Sequence, residues 1–279
     1  MPILHAIVLG IVQGLTEFFP VSSSGHLTLV PWLFGWDDFN GNDSLQKTFD
    51  VGLHLGTLVG AVAYFRKDLV IYAREGLRTL TPAGRAQVSA DGRIAWLLVA
   101  SMAPAAITGV LLEQIIEKLD DKIWLIAVML IAFGLVLLVA DRLGGDRTLD
   151  QWRLRDALLM GLGQAFALMP GVSRSGVTIT VGRAIGFDRN ATARLSFLMS
   201  LPIIAGAGVF KFSGAISDGA MSSDFIHAFL WGMVAAALTG WAAVWATIRL
   251  VSARSFAPFT VYRIIAGLGV LALLATGYR

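Results

Sequence analysis

Two short polar runs, set in otherwise apolar sequence, hold the residues of this chain best suited to chemistry. The first starts with Gln13 and Glu17, four apart and therefore on one helix face, and continues into Ser22-Ser23-Ser24-Gly25-His26. It offers a carboxylate, three adjacent hydroxyls and an imidazole. A serine becomes a nucleophile when a base lies within hydrogen-bond reach, and His26 is such a base. The second run is Ser173-Arg174-Ser175-Gly176, followed by Thr178 and Thr180. Arginine presents a planar fork suited to bidentate phosphate contacts, and among apolar neighbours it needs an anionic partner. Each run places a glycine-bearing turn at the start of a helix, where backbone N–H groups and the helix dipole favour an anion. Acid, imidazole, hydroxyls, arginine and amide-rich turns together suit phosphoryl hydrolysis, which depends on positioning and charge neutralisation. A lone carboxylate completed by substrate oxygens suits Mg²⁺ or Ca²⁺ rather than zinc, with Glu17 as the candidate metal ligand. Plainer readings stand beside these: a serine-rich turn also caps a helix, and Arg174 and Glu17 also suit a structural ion pair. Asp50 and His54, four apart, either line the same cavity or pair internally. Arg194 reads as an anchor at the start of a span, within reach of the second polar run.

The elements that must position these residues are membrane helices. The chain has 279 residues, 56% hydrophobic and 15% charged, with a mean hydropathy of +0.71; a soluble domain carries about 25% charged residues. With no cysteine, disulfides and thiolate metal sites are excluded. The arginines lie between apolar stretches rather than on one face, which argues against nucleic acid as a partner. The first residues lack a basic region and a small-residue cleavage site, so no removable signal peptide is expected. A spanning helix needs about 20 mostly apolar residues. Six segments read as spans: 49–65, 94–116, 123–140, 195–212, 225–250 and 259–278, the fourth carrying Pro202. Two further apolar stretches, 3–34 and 157–185, are interrupted by the polar runs. Irregular backbone at membrane depth is tolerated only inside protein or along a wet cavity, so these two read as re-entrant helical hairpins.

Charge sets the expected orientation. Arg66, Lys67, Arg74, Arg78, Arg85 and Arg93 form one basic loop, and Arg142, Arg147, Arg153 and Arg155 the next. Arg183, Arg189 and Arg194 follow the second hairpin, and Arg249 and Arg254 the fifth span. The alternate loops carry Asp37, Asp38 and Asp43, then Glu117, Asp120 and Asp121, then Asp218 and Asp224. The positive-inside rule places every basic loop in the cytoplasm and both termini outside. Shifted by 151 positions, Gly10, Gln13, Val21, Ser22, Ser24 and Gly25 fall on Gly161, Gln164, Val172, Ser173, Ser175 and Gly176. One membrane domain, 1–279, then divides into repeats at about 1–145 and 152–279, each a hairpin plus three spans. An odd number of crossings inverts the second repeat, an architecture that seats a ligand near mid-membrane between broken helices. The expected fold is an all-α polytopic membrane protein with six transmembrane helices, two re-entrant hairpins and an inverted-topology repeat.

The stretch from Gln13 to His26 (QGLTEFFPVSSSGH) resembles the first signature of the undecaprenyl-pyrophosphate phosphatase (BacA) family, and Pro170–Gly176 (PGVSRSG) resembles the second. Ala193-Arg194-Leu195-Ser196-Phe197 is also similar to a family segment, and the likeness runs end to end. It implies a multi-pass bacterial plasma-membrane enzyme that removes the terminal phosphate of undecaprenyl pyrophosphate. The product is the lipid carrier for peptidoglycan precursors, and members confer bacitracin resistance. The family's first signature reads Glu/Gln-x-x-x-Glu; Gln13 takes the neutral option, which puts a two-carboxylate metal site in doubt. By resemblance Ser23 matches the proposed nucleophile, His26 the family histidine and Arg174 the essential arginine. The implied mechanism has Glu17 and Gln13 orienting the metal ion or the pyrophosphate, and Ser23 attacking with help from His26. Arg174 holds the phosphates with the turn residues Ser22, Ser24, Gly25, Ser173, Ser175, Gly176 and Thr178. Direct attack by His26 stays open. The partners expected are a polyprenyl pyrophosphate and bilayer lipids, with a homodimer as one assembly to test, and the site is expected to open to the periplasm. Two other readings are a carrier for an anionic lipid, and a site of the other lipid-phosphatase superfamily. The Ser24-Gly25-His26 triplet is similar to that second group, but no histidine follows Ser173-Arg174 as it requires.

Overall fold

The structure, a computed structural model, describes residues 1–119, 121–215 and 223–278. Asp120 and Asp218 of the acidic loops lie outside the described residues. The helices are α1 (Ile3–Phe18), α2 (Ser23–Phe34), α3 (Asp43–Arg78), α4 (Pro82–Ala86), α5 (Ala90–Glu117) and α6 (Ile123–Arg142). They continue as α7 (Leu154–Phe166), α8 (Arg174–Ala184), α9 (Arg189–Ala215), α10 (Ser223–Val251) and α11 (Ala257–Ala275). Six of them, α3, α5, α6, α9, α10 and α11, are long and apolar enough to cross a membrane. They match the six expected spans. The largest difference is α3, which continues past residue 65 through Lys67, Asp68 and Arg74 to Arg78. Hydropathy reports the stretch matched to the bilayer, while a helix can go on as a solvated helix beyond it.

The two interrupted stretches are helix pairs with a turn between them. In the first, His5 near the start of α1 stacks on Trp36 just after α2 (ring centroids 3.8 Å apart) and bonds Asp38 at 2.9 Å. The pair thus returns to the end at which it begins. In the second, Arg147 bonds both Asp156 at the start of α7 and the Ile185 carbonyl after α8 (3.0 Å), so this pair also closes on itself. The tips touch, Ser175 Oγ donating to the Phe19 carbonyl at 3.1 Å.

Basic loops gather at one end of the bundle. Arg93 donates to the Asp150 carbonyl (2.6 Å), Asn190 to Ser252 (2.7 Å) and Arg189 to Asp141 (2.6 Å). Asp141 also accepts the Phe256 N–H at 3.1 Å and pairs with Arg183 at 3.4 Å. Arg194 is an anchor: it bonds Asp68 at 2.9 Å and lies over the Phe65 ring.

Close helix packing rests on small residues, as it does where lipid removes the hydrophobic drive between helices. Gly10 and Gly14 of α1 lie against Gly232, Ala236 and Gly240 of α10. A Cβ on Gly14 would come within 2.7 Å of the Ala236 carbonyl and the Gly240 amide and would overlap Thr239. This contact seats α1, and with it Gln13 and Glu17, deep in the bundle.

Candidate active site

Both turns end on a serine in the same unusual backbone conformation. Ser22 (φ 78°, ψ 96°) caps α2 and accepts the Gly25 N–H at 3.4 Å; Ser173 (φ 75°, ψ 115°) caps α8 and accepts the Gly176 N–H at 3.1 Å. Positive φ at a non-glycine residue is costly and concentrates at functional sites. Ser22 pairs with Ser24 at 3.5 Å and Ser173 with Ser175 at 3.3 Å. The positions that align under the 151-residue shift therefore share local geometry. The N-terminal ends of α2 and α8, where helix amides lack intrahelical partners, border one chamber through Ser22–Ser24 and Ser173–Arg174.

That chamber, about 260 Å³, is lined by Glu17, Ser22, Ser23, Ser24, His54, Ser173 and Arg174, with an apolar wall of Val51, Ala167, Ile203, Ile204, Ala207 and Gly208. Glu17, 5% exposed, organises its polar half. Its Oε2 accepts from Ser23 Oγ at 2.6 Å and from Gln13 Nε2 at 3.0 Å, and its Oε1 accepts from Arg174 at 3.1 Å. Arg174 also reaches the Ser196 carbonyl at 3.3 Å, which fixes its fork against α9. His54 Nε2 stands 3.6 Å from Glu17 Oε2, and its Nδ1 donates to the Asp50 carbonyl at 2.8 Å. Each reading of Asp50 and His54 holds in part: His54 lines the chamber and bonds the Asp50 carbonyl, while Asp50 lines only the adjoining cavity. A second, polar cavity of about 460 Å³ adjoins the chamber, sharing Ser24 and His54 and lined further by Asp43, Gln46, Lys47, Asp50, Lys118 and Asp121.

The serine's partner is not the one expected. His26 Nδ1 lies 2.7 Å from the Ser22 carbonyl, which can only accept, so Nδ1 carries the proton; Nε2 takes the Tyr262 hydroxyl at 2.7 Å. Both ring nitrogens are engaged in holding the turn, and the side chain that accepts the Ser23 hydroxyl is Glu17. The physical reason is that a histidine three positions into α2 faces back over its own N-cap, whereas the turn folds Ser23 toward α1. Thr178 likewise braces rather than lines the chamber, bonding the Arg174 carbonyl (2.8 Å) and Ser196 Oγ (2.6 Å). Ser175 and Gly176 serve the tip contact and the cap. Tyr262 was not singled out from the sequence, although a hydroxyl beside an arginine in an apolar span was the available signal.

The fit of a divalent cation rests on the donors. Gln13 Oε1 is buried without a hydrogen-bond partner, and Glu17 and Ser23 add hard oxygen atoms suited to Mg²⁺ or Ca²⁺. Among the described residues no group of three His, Asp or Glu side chains converges, so substrate and water oxygens would complete the coordination.

Comparison with known proteins follows the same line. The family model described as bacitracin resistance protein BacA matches residues 6–269. An undecaprenyl-diphosphatase of Geobacter sulfurreducens is 46% identical over 98% of this chain and 99% of its own length. Those of Nocardioides sp. (43%, covering 98% and 97%) and Pelotomaculum thermopropionicum (44%, covering 99% and 98%) are similar. With residues 6–269 matched by the family model and nearly the whole length matched by these relatives, the chain belongs to the BacA family.

Proposed function

We propose that the chamber between the two turns is where this chain removes the terminal phosphate of undecaprenyl pyrophosphate. The activity itself follows from the family: the chain is an undecaprenyl-diphosphatase, yielding undecaprenyl phosphate and inorganic phosphate. The observation that carries the site is the Ser23–Glu17–Arg174 arrangement, with a hydroxyl on one carboxylate oxygen and a guanidinium on the other.

Ser23 Oγ attacks the terminal phosphorus while its proton passes to Glu17 Oε2. The bond from that phosphorus to the bridging oxygen breaks, and undecaprenyl phosphate leaves. Glu17 hands that proton to the departing undecaprenyl phosphate, takes another from the water that attacks the phosphoserine, and returns it to Ser23 Oγ as phosphate departs. Arg174 and the first amides of α2 and α8 hold the equatorial oxygens as charge develops. His26 and Tyr262 keep the Ser22 carbonyl, and so the attacking serine, in place. Glu17 and Gln13 would hold Mg²⁺ or Ca²⁺, whose charge neutralises phosphate oxygens. The wall of Val51, Ile203, Ile204 and Ala207 receives the first part of the prenyl tail.

The helix pairs are re-entrant and the repeats inverted in this reading. The paired ends at His5–Trp36 and at Arg147–Asp156–Ile185 support it, as does the contact of the two tips. The basic loops then face the cytoplasm of a bacterial plasma membrane. The polar outer cavity, which begins at Asp43 and Lys118, opens to the periplasm.

The test is phosphate release from undecaprenyl pyrophosphate by detergent-purified protein, with and without EDTA, beside Arg174→Ala. The expected result is cation-dependent release that the variant abolishes. Release at the wild-type rate by folded Arg174→Ala would remove the chamber from the reaction.

A further inference from the structure

A buried arginine outside the reacting groups joins the two turns. Arg263 lies within the apolar helix α11 and is fully buried, an expensive place for a charge. Its Nε donates to the Leu130 carbonyl at 2.9 Å and one Nη to the Met129 carbonyl at 3.2 Å, both on α6. The other contacts reach the turns: Pro20 O at 3.1 Å in the first, Gly171 O and Val172 O at 3.0 Å each in the second. Positions 20 and 171 are the same place in the two repeats under the 151-residue shift, and each lies three residues before a reacting side chain, Ser23 and Arg174. Among the described residues its hydrogen-bond partners are carbonyl oxygens rather than carboxylates. The sequence makes room for it: a Cβ on Gly176 would stand 2.9 Å from Arg263 Nη1.

We propose that Arg263 is a positioning residue for the dephosphorylation, one guanidinium that sets the separation and facing of the Ser23 and Arg174 turns. The inference rests on the site proposed above. Only a guanidinium suits the place. Its N–H groups radiate in one rigid plane and reach α6 and both turns together, whereas a lysine ammonium is a point donor on a flexible stem.

The test uses the full-length protein in detergent, with wild type and Arg174→Ala as controls, and compares Arg263→Lys with Arg263→Ala. Both kcat and KM for undecaprenyl pyrophosphate are measured on the folded, monodisperse fraction, alongside the thermal melt. Arg263→Lys keeps the charge and loses the span; kcat is expected to fall about a hundredfold, the effect of a misplacement of about 1 Å, with KM changed far less. Millimolar guanidinium is expected to restore turnover to Arg263→Ala. Arg263→Lys with wild-type kcat would overturn the proposal. So would guanidinium that raises the melting temperature of Arg263→Ala but not its turnover, since that is the signature of a purely structural arginine. Should Arg263→Ala not fold, the kcat of Arg263→Lys decides. Active Arg174→Ala would sink the site itself, while inactive Arg174→Ala beside fully active Arg263→Lys would sink only the role of Arg263.

Discussion

Replacing Glu17 with glutamine keeps the shape of the side chain and removes its charge and basicity. In the resting site Oε2 accepts the Ser23 hydroxyl at 2.6 Å and Oε1 accepts Arg174 at 3.1 Å. Without a carboxylate the serine proton has no acceptor, and loss of a general base costs about 10²–10⁴ in kcat, or about 3–5 kcal/mol of barrier. Arg174 is meanwhile released from its anion and stays available to phosphate, and with cation and substrate saturating the loss is read in kcat. Ser23→Ala removes the other end of the same proton transfer and should lose a similar factor. The decisive figure is the double variant. Two independent contributions of about 10³ each would multiply to about 10⁶, whereas two groups acting on one proton lose about 10³ together. Single-turnover phosphate release from undecaprenyl pyrophosphate in detergent measures all four corners of the cycle. Multiplicative losses, or near-normal turnover by Glu17→Gln, would refute the assignment of Glu17 as the base for Ser23.

Three other outcomes follow from the packing and the hydrogen bonds. Tyr262→Phe removes the hydroxyl on His26 Nε2 at 2.7 Å; the expected loss is about 0.5–1.5 kcal/mol of stability and less than tenfold in kcat, read by melt and turnover. Gly14→Val forces a side chain into the Ala236 and Gly240 backbone, and should cost about 1–3 kcal/mol or more through overpacking, seen as a lower melting temperature or loss of folded yield. Asp141→Asn strips the charge that Arg183 and Arg189 share. A broken buried pair costs about 3–5 kcal/mol, so the melt should drop sharply while kcat per folded molecule, set at the far end of α6, is retained.

The six spans and both polar turns were legible because bilayer thickness imposes a length and because charge inside an apolar run is rare. Glu17 and Arg174 stand out by residue type, Ser23 is singled out from its neighbouring serines by the family resemblance, and the structure brings the three together in the chamber. What sequence could not supply was which base faces which hydroxyl. Ser23 and His26 are three apart on what becomes one helix, yet the turn at 19–22 directs Ser23 onto α1 and His26 onto Tyr262. Arg263 and Tyr262 went unread because α11 was weighed as a span, by mean hydropathy, where one arginine is diluted by many apolar neighbours. The limits of α3 were missed for the opposite reason: Lys67, Asp68 and Arg74 lower the hydropathy without ending the helix.

The contacts of α11 also carry a consequence for biosynthesis. Glu17 and Ser23 leave the ribosome first, Arg174 follows 151 residues after Ser23, and Tyr262 and Arg263 come after all three. Because α11 supplies the atoms that hold both turns, a nascent polypeptide, or one cut before α11, can insert the earlier spans and still lack an assembled centre. Competence is therefore expected only once α11 has docked against the helices that precede it.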